Sequence, residues 1–142
     1  GLPFTAYPTA DAFAGTDTNS VPRMAALFSD RKIGADVVGE ARRAHTDVVL
    51  LDCMLTGAVK ACEDAGLPYV TFEHLYDGFL RGPWLNGPMG LVSRIKRLRP
   101  VRSWNRARRA LVVSLEELDP GATAKSRPAP RSASRSQGKR CC

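Results

Sequence analysis

Side chains able to carry chemistry stand at the ends of two apolar runs. Asp52 follows Val48–Leu51, and Glu73 with His74 follows Tyr69–Phe72. A carboxylate at such a place can orient a histidine base and stabilise the imidazolium formed when that base takes a proton, a role open to Asp52. Asp52 also has a plainer use, since an Asp ahead of a helix can cap it. His74 can equally be a solvent-facing loop residue. His45, near a helix end, reads as a surface group favoured by the helix dipole. The cysteines, Cys53, Cys62, Cys141 and Cys142, show no Cys-x-x-Cys pair and no zinc-finger His spacing. Neither a metal nor a disulfide framework is expected. Cys53 and Cys62 lie in apolar surroundings and read as buried, inert thiols.

The elements that position these residues follow from the hydrophobic pattern. Val48–Leu51 is an unbroken apolar run of the kind that forms a strand buried on both faces. Thr56 is expected to cap a helix through Ala65, with Val59 and Cys62 inward and Gly66 as its stop. A second strand follows at Tyr69–Phe72. Strand, helix and strand in so few residues make a tight βαβ unit with parallel strands and a right-handed crossover. Ligands of open α/β sheets sit outside the carboxyl ends of the strands, which places Asp52, Glu73 and His74 at the functional rim.

Upstream, Ser20 is placed to cap a helix over Val21–Lys32 with Met24, Leu27 and Phe28 as its apolar stripe, and Gly34 to end or bend it. Ala35–Ala44 resume the helical pattern with Val37, Val38 and Ala41 inward. The segment Gly78–Gly90 combines four Gly and two Pro with Phe79, Leu80, Trp84, Leu85 and Met89. That mixture suits an adaptable loop beside a site, or equally a long loop packed on the core. Residues 91–109 read as a basic amphipathic helix or helix pair interrupted at Pro100, with Leu91, Val92, Ile95 and Leu98 on one face. A further buried strand is expected at Leu111–Leu115, with a turn at Glu116–Pro120. Gly1–Tyr7 (GLPFTAY) echoes Gly66–Phe72 (GLPYVTF), so a strand is expected at Phe4–Tyr7 and the chain reads as starting inside a fold.

The 142 residues carry 44% hydrophobic and 25% charged side chains, the composition of one globular domain. No apolar run reaches the roughly 20 residues of a membrane span, and no signal peptide is evident, so a cytoplasmic location is expected. The net charge of +7 is unevenly placed: −4 over residues 1–90, +8 over 91–109, −3 over 110–120 and +6 over 121–142. The body to residue 120 is nearly neutral, which argues against a uniformly basic nucleic-acid-binding domain. Residues 121–142 contain no Leu, Ile, Val, Phe, Tyr, Trp or Met and are expected to be a disordered basic tail.

Two families resemble parts of this sequence. DVVLLDCML (residues 47–55) is similar to the phosphoacceptor strand of response-regulator receiver domains. Such domains also need an acidic pair after their first strand and a Lys after a later one to hold Mg²⁺ and the phosphoryl group. Here Asp11 and Asp17 stand apart, and no Lys follows a strand beyond Phe72. A broader resemblance covers residues 1–120. The Gly-Leu-Pro strand start, the helical excursion, TDVVLLD, AGLPYVTF, the segment YDGFLRGPWLNGPMG and finally LVVSLEELDP occur in the order found in the N-terminal, acceptor-binding half of GT-B nucleotide-sugar glycosyltransferases that decorate small lipophilic aglycones such as macrolides.

The resemblance implies an incomplete Rossmann-like α/β domain over residues 1–120, a parallel sheet with flanking helices. It further implies transfer of a sugar from a nucleoside diphosphate sugar to an acceptor hydroxyl, with inversion. In that family a His in the loop after the first strand deprotonates the acceptor and an Asp orients it; the Asp role maps to Asp52. His74 maps to a position lining the sugar and acceptor site, and Phe79, Trp84, Leu85 and Met89 to the acceptor-binding loop. The family's catalytic His loop and nucleotide-sugar domain are not recognised in this sequence, so the chain alone is expected to be inactive and to need no cofactor or metal of its own. Expected partners are a small lipophilic acceptor and, in a complete enzyme, the nucleotide sugar. The alternatives are a receiver-like phosphoacceptor domain, and a non-enzymatic module gripping nucleic acid or an anionic surface through Arg94–Arg109, Trp104 and the tail.

Overall fold

The computed structural model describes residues 20–113 together with Ala6. The strand expected at Phe4–Tyr7, the acidic residues Asp11 and Asp17, the last two residues of the expected Leu111–Leu115 strand, the turn at Glu116–Pro120 and the tail lie outside the described residues. Helix α1 (Val21–Phe28) leads into α2 (Arg31–Arg43), strand β1 (Val49–Asp52), α3 (Thr56–Asp64) and β2 (Tyr69–Glu73). A single turn α4 (Asp77–Phe79) then runs into a π-helical turn at Leu80–Trp84, followed by α5 (Pro88–Ile95), α6 (Pro100–Arg106) and β3 (Arg109–Val112). The three strands form a parallel sheet in the order β1-β2-β3. The protein is thus α/β, with a small parallel sheet flanked by helices, as the βαβ pattern requires.

Several boundaries differ from the sequence expectation. The first helix does not run to Lys32. The Ser29 hydroxyl turns back to the Ala25 carbonyl, and the Asp30 side chain accepts from the Lys32 N–H at 2.8 Å, so one helix stops and another starts there. Gly34 therefore does not break the chain but sits inside α2. A Cβ there would come within 2.7 Å of Ala61 Cβ and 2.9 Å of the Gly57 carbonyl oxygen, so the residue marks where α2 crosses α3. Thr56 is not the cap of α3. Leu55 occupies that position, and the Thr56 hydroxyl instead donates to the Phe28 carbonyl at 3.0 Å, tying α3 to the end of α1.

Gly66 does end α3, at φ +67°, with Leu67 N–H bonded to the Cys62 carbonyl and Gly66 N–H to the Glu63 carbonyl. This is the Schellman arrangement. The ends of α2 and α5 use the same pair of bonds, but with His45 (φ 50°) and Arg97 (φ 56°) at the left-handed position.

The segment Gly78–Gly90 is not an irregular loop. It folds as α4, the π-helical turn and the start of α5, and it delivers Leu80, Trp84 and Met89 to the core. The helix pair around Pro100 is observed, with Pro100 in the first turn of α6. Its expected apolar face is buried only in part: Leu98 is buried and Val92 packs half-buried against the core, but Leu91 and Ile95 are exposed, and α5 also buries Met89, Gly90 and Ser93. The strand expected from Leu111 begins two residues earlier, at Arg109.

The core lies on one side of the sheet. Leu51, Tyr69 and Thr71 face it and meet Val59, Cys62, Leu80, Trp84, Leu98 and Trp104. Trp104 Nε1–H donates to the Cys53 carbonyl at 3.0 Å, anchoring α6 to the end of β1. On the other side the register aligns Leu50 with Val70 and Arg109, and Asp52 with Phe72 and Leu111. Leu50 is 59% exposed there and Leu111 48%, so β1 is not buried on both faces as its apolar run suggested.

Candidate functional site

The parallel register brings the carboxyl ends of β1 and β2 side by side, with Asp52 opposite Phe72. Side chains alternate across a strand, so His74, two residues beyond Phe72, falls on the same face as Asp52. The His74 Nδ1 lies 3.4 Å from Asp52 Oδ2. The imidazole also stacks on the Phe72 ring, with centroids 5.9 Å apart and planes inclined by 24°. The other carboxylate oxygen, Oδ1, accepts from the Met54 N–H at 2.8 Å. Asp52 thus closes the turn after β1 with one oxygen and faces His74 with the other. Both side chains are a little over one-third exposed (38% and 37%), so solvent and a substrate reach them.

With Nδ1 turned to the carboxylate, Nε2 is the ring nitrogen left to accept a proton from a hydroxyl. That division of labour is how a carboxylate-held imidazole acts as a general base. The third rim residue, Glu73, points to the other face and is buried.

Cys53 adds a donor that spacing rules missed. One ligand atom each from Asp52, Cys53 and His74 lies within 4.8 Å of the others. The oxygen, sulfur and nitrogen set is one that zinc accepts, although tetrahedral bonds of about 2.0–2.3 Å would require the three atoms to draw closer. Binding would also have to displace the thiol proton. Burial first, then the charges of Asp52 and Glu73, push the Cys53 thiol up to about 12, while the His74 backbone N–H partly offsets them. The grouping comes from two strand ends brought together by the fold, so only an Asp-Cys at one strand end and a His just after the next could have signalled it.

The remaining sequence candidates are dispersed. Trp84 and Met89 are core residues, with the Trp84 and Trp104 rings 5.9 Å apart. Phe79 is exposed, and Leu85 lines a cavity bordered by Arg81 and Arg94. A separate cavity of 480 Å³ lies between α2 and β1, lined by Val37, Ala41, Val49 and Leu50 among others; neither Asp52 nor His74 lines it. Among the described residues, no helix is long and apolar enough to cross a membrane.

Comparison with family models, with curated proteins and with solved structures finds no match to this chain. Function has to be argued from the geometry of these residues.

Proposed function

We propose that this domain is the acceptor-binding half of a nucleotide-sugar-dependent glycosyltransferase of the GT-B type, acting on a hydroxyl of a small lipophilic acceptor. The observation that carries the reading is the Asp52–His74 pair, 3.4 Å apart at the carboxyl ends of adjacent parallel strands. The order of motifs along residues 1–120 supports it. In this reading, which departs from the lining role that the resemblance gives His74, the imidazole that Asp52 orients is His74 itself. His74 Nε2 accepts the acceptor's hydroxyl proton as the oxygen attacks the anomeric carbon and the nucleoside diphosphate leaves; inversion follows from that single displacement. Asp52 stabilises the imidazolium so formed. Phe72, stacked beneath the ring, limits its rotation and keeps Nε2 turned outward.

The test is the imidazole itself. In ¹⁵N-labelled protein, a hydroxylated polyketide aglycone titrated into the sample should shift the His74 ring signals saturably while leaving those of His45 in place. Asp52→Asn should change the tautomer balance of His74 and weaken that response about tenfold, the typical scale for losing a charge-assisted partner. An unresponsive His74, or an unaltered tautomer in Asp52→Asn, would exclude the reading.

A further inference from the structure

A second cavity, of 510 Å³, opens between the π-helical turn, α5 and the start of α6. Four guanidinium groups border it, those of Arg81, Arg94, Arg97 and Arg99, and no carboxylate is among its lining residues. Arg81 is held by Asp77 at 2.9 Å and by the Asn105 side chain at 3.2 Å. Arg94, Arg97 and Arg99 form no ion pair with any described residue. By contrast, nearby Arg106 and Arg102 both turn to Glu63. Three like charges gathered around one concavity repel one another, and an anion between them relieves that repulsion.

One further observation points to a ligand. Ser93 lines the cavity and is 98% buried, yet its hydroxyl has no hydrogen-bond partner among the described residues. A buried hydroxyl left unpaired costs about 1–3 kcal/mol, and a ligand oxygen can remove that cost. Arg97 and Arg99 both hold left-handed backbone, at φ 56° and 48°, where glycine would sit without strain. At the matching end of α3 the chain does use glycine, Gly66. At the C-terminal end of α5, which the arginines must outweigh, the Arg94 and Ser93 carbonyls accept from Arg97 N–H and Leu98 N–H.

We infer that this cavity binds a small phosphorylated ligand, a phosphate or diphosphate ester. Arg94, Arg97 and Arg99 hold its phosphate oxygens, Ser93 donates one hydrogen bond, and Leu85 with Pro100 contacts its apolar body. The volume falls in the range of small-molecule sites. Guanidinium groups suit phosphate because their planar fork gives paired hydrogen bonds. The site is separate from the Asp52–His74 pair and stands whether or not that pair is catalytic.

Calorimetric titration of the full chain with inorganic pyrophosphate and with phenyl phosphate tests it. One-to-one saturable binding of both is expected, weakening with salt because the arginines are exposed. Arg94→Ala should reduce affinity about tenfold and Ser93→Ala about threefold, as expected for charged and neutral hydrogen bonds. Arg97→Gly is the most telling variant, since it relieves the strained backbone. It should raise the melting temperature while cutting affinity about tenfold. Arg109→Ala, on β3 outside the cavity, should leave affinity unchanged. Absence of saturable binding would overturn the proposal, as would full affinity in Arg97→Gly or an equal loss in Arg109→Ala. A single-stranded oligonucleotide that binds and resists displacement by pyrophosphate would also overturn it, assigning the charge to nucleic acid instead.

Discussion

Two crossovers join the strands of this sheet and solve the same topological problem differently. Between β1 and β2 the chain uses one helix, α3, stopped by glycine and packed against α2 at a glycine contact. Between β2 and β3 it uses α4, a π-helical turn, α5 and α6, with arginines at two strained positions and an open cavity. The short crossover has a glycine stop and a close helix contact, and its one cation, Lys60, is paired with Asp64. The long one gives up local stability and holds the arginines. Among the described residues, two of the three non-glycine residues in left-handed backbone, Arg97 and Arg99, line that cavity.

The comparison can be broken most severely at Gly57. A Cβ there would lie 2.3 Å from the Asp30 carbonyl oxygen, and that atom belongs to the backbone cap between α1 and α2. Gly57→Ala should cost about 3 kcal/mol, the upper end of overpacking penalties, read from the midpoint of urea unfolding. If the short crossover were as adaptable as the long one, the loss would stay below about 1 kcal/mol.

The two crossovers are fastened together by Glu63, which accepts from the Ser103 hydroxyl and from Arg106 at 2.6 Å. Its side chain is only 11% exposed. Burial pushes the carboxyl up, but the hydrogen bonds from Ser103 and Arg106, with the charges of Arg106 and Lys60, outweigh it and hold Glu63 below its ordinary value of 4.5. A carboxyl lowered in the folded state stabilises the fold above its unfolded pKa. That contribution is lost as pH falls through the lowered folded value. Glu63→Gln should therefore cost about 1–2 kcal/mol at neutral pH and flatten the stability profile below pH 4.5, as measured by melting temperature against pH. An unchanged acid limb would show that the crossovers are not coupled through this residue.

The smallest expected effects sharpen the contrast at the helix ends. Gly66→Ala, at φ +67°, should lose about 1 kcal/mol, whereas His45→Gly, at φ 50°, should gain about 0.5 kcal/mol. Thermal unfolding of the two variants checks both signs. Equal and like-signed changes would remove the argument that side-chain identity at these positions reflects competing demands.

The short crossover was legible in the sequence because its signals are local. The apolar run, Asp52, the Val59 and Cys62 spacing and Gly66 each act within one turn or strand, so βαβ and its strand-end residues could be read directly. Thr56 was misread because its hydroxyl goes to Phe28, twenty-eight residues away, in preference to the cap next to it. The long crossover was misread for a related reason. Four glycines and two prolines in Gly78–Gly90 suggest a loop by propensity, but the segment is helical, with Trp84 packed against Trp104 and α5 against α1. Leu91 and Ile95 show the same limit: of the expected apolar face Val92 and Leu98 do pack inward, but tertiary contacts left Leu91 and Ile95 outside and buried Met89 and Ser93. Pairing of Asp52 with His74 depended on strand register, which places residues twenty-two positions apart within 3.4 Å.

The two tryptophans of the sequence, Trp84 and Trp104, both belong to the long crossover, and both are buried. Their emission therefore belongs optically to one segment of the chain. A red shift in fluorescence that precedes the loss of helical circular dichroism would record the long crossover opening while α2 and α3 remain folded; simultaneous changes would show one cooperative unit. The ring pair at 5.9 Å is close enough for excitation to pass between the two indoles, so the polarisation of that emission gives a second clock on the same event.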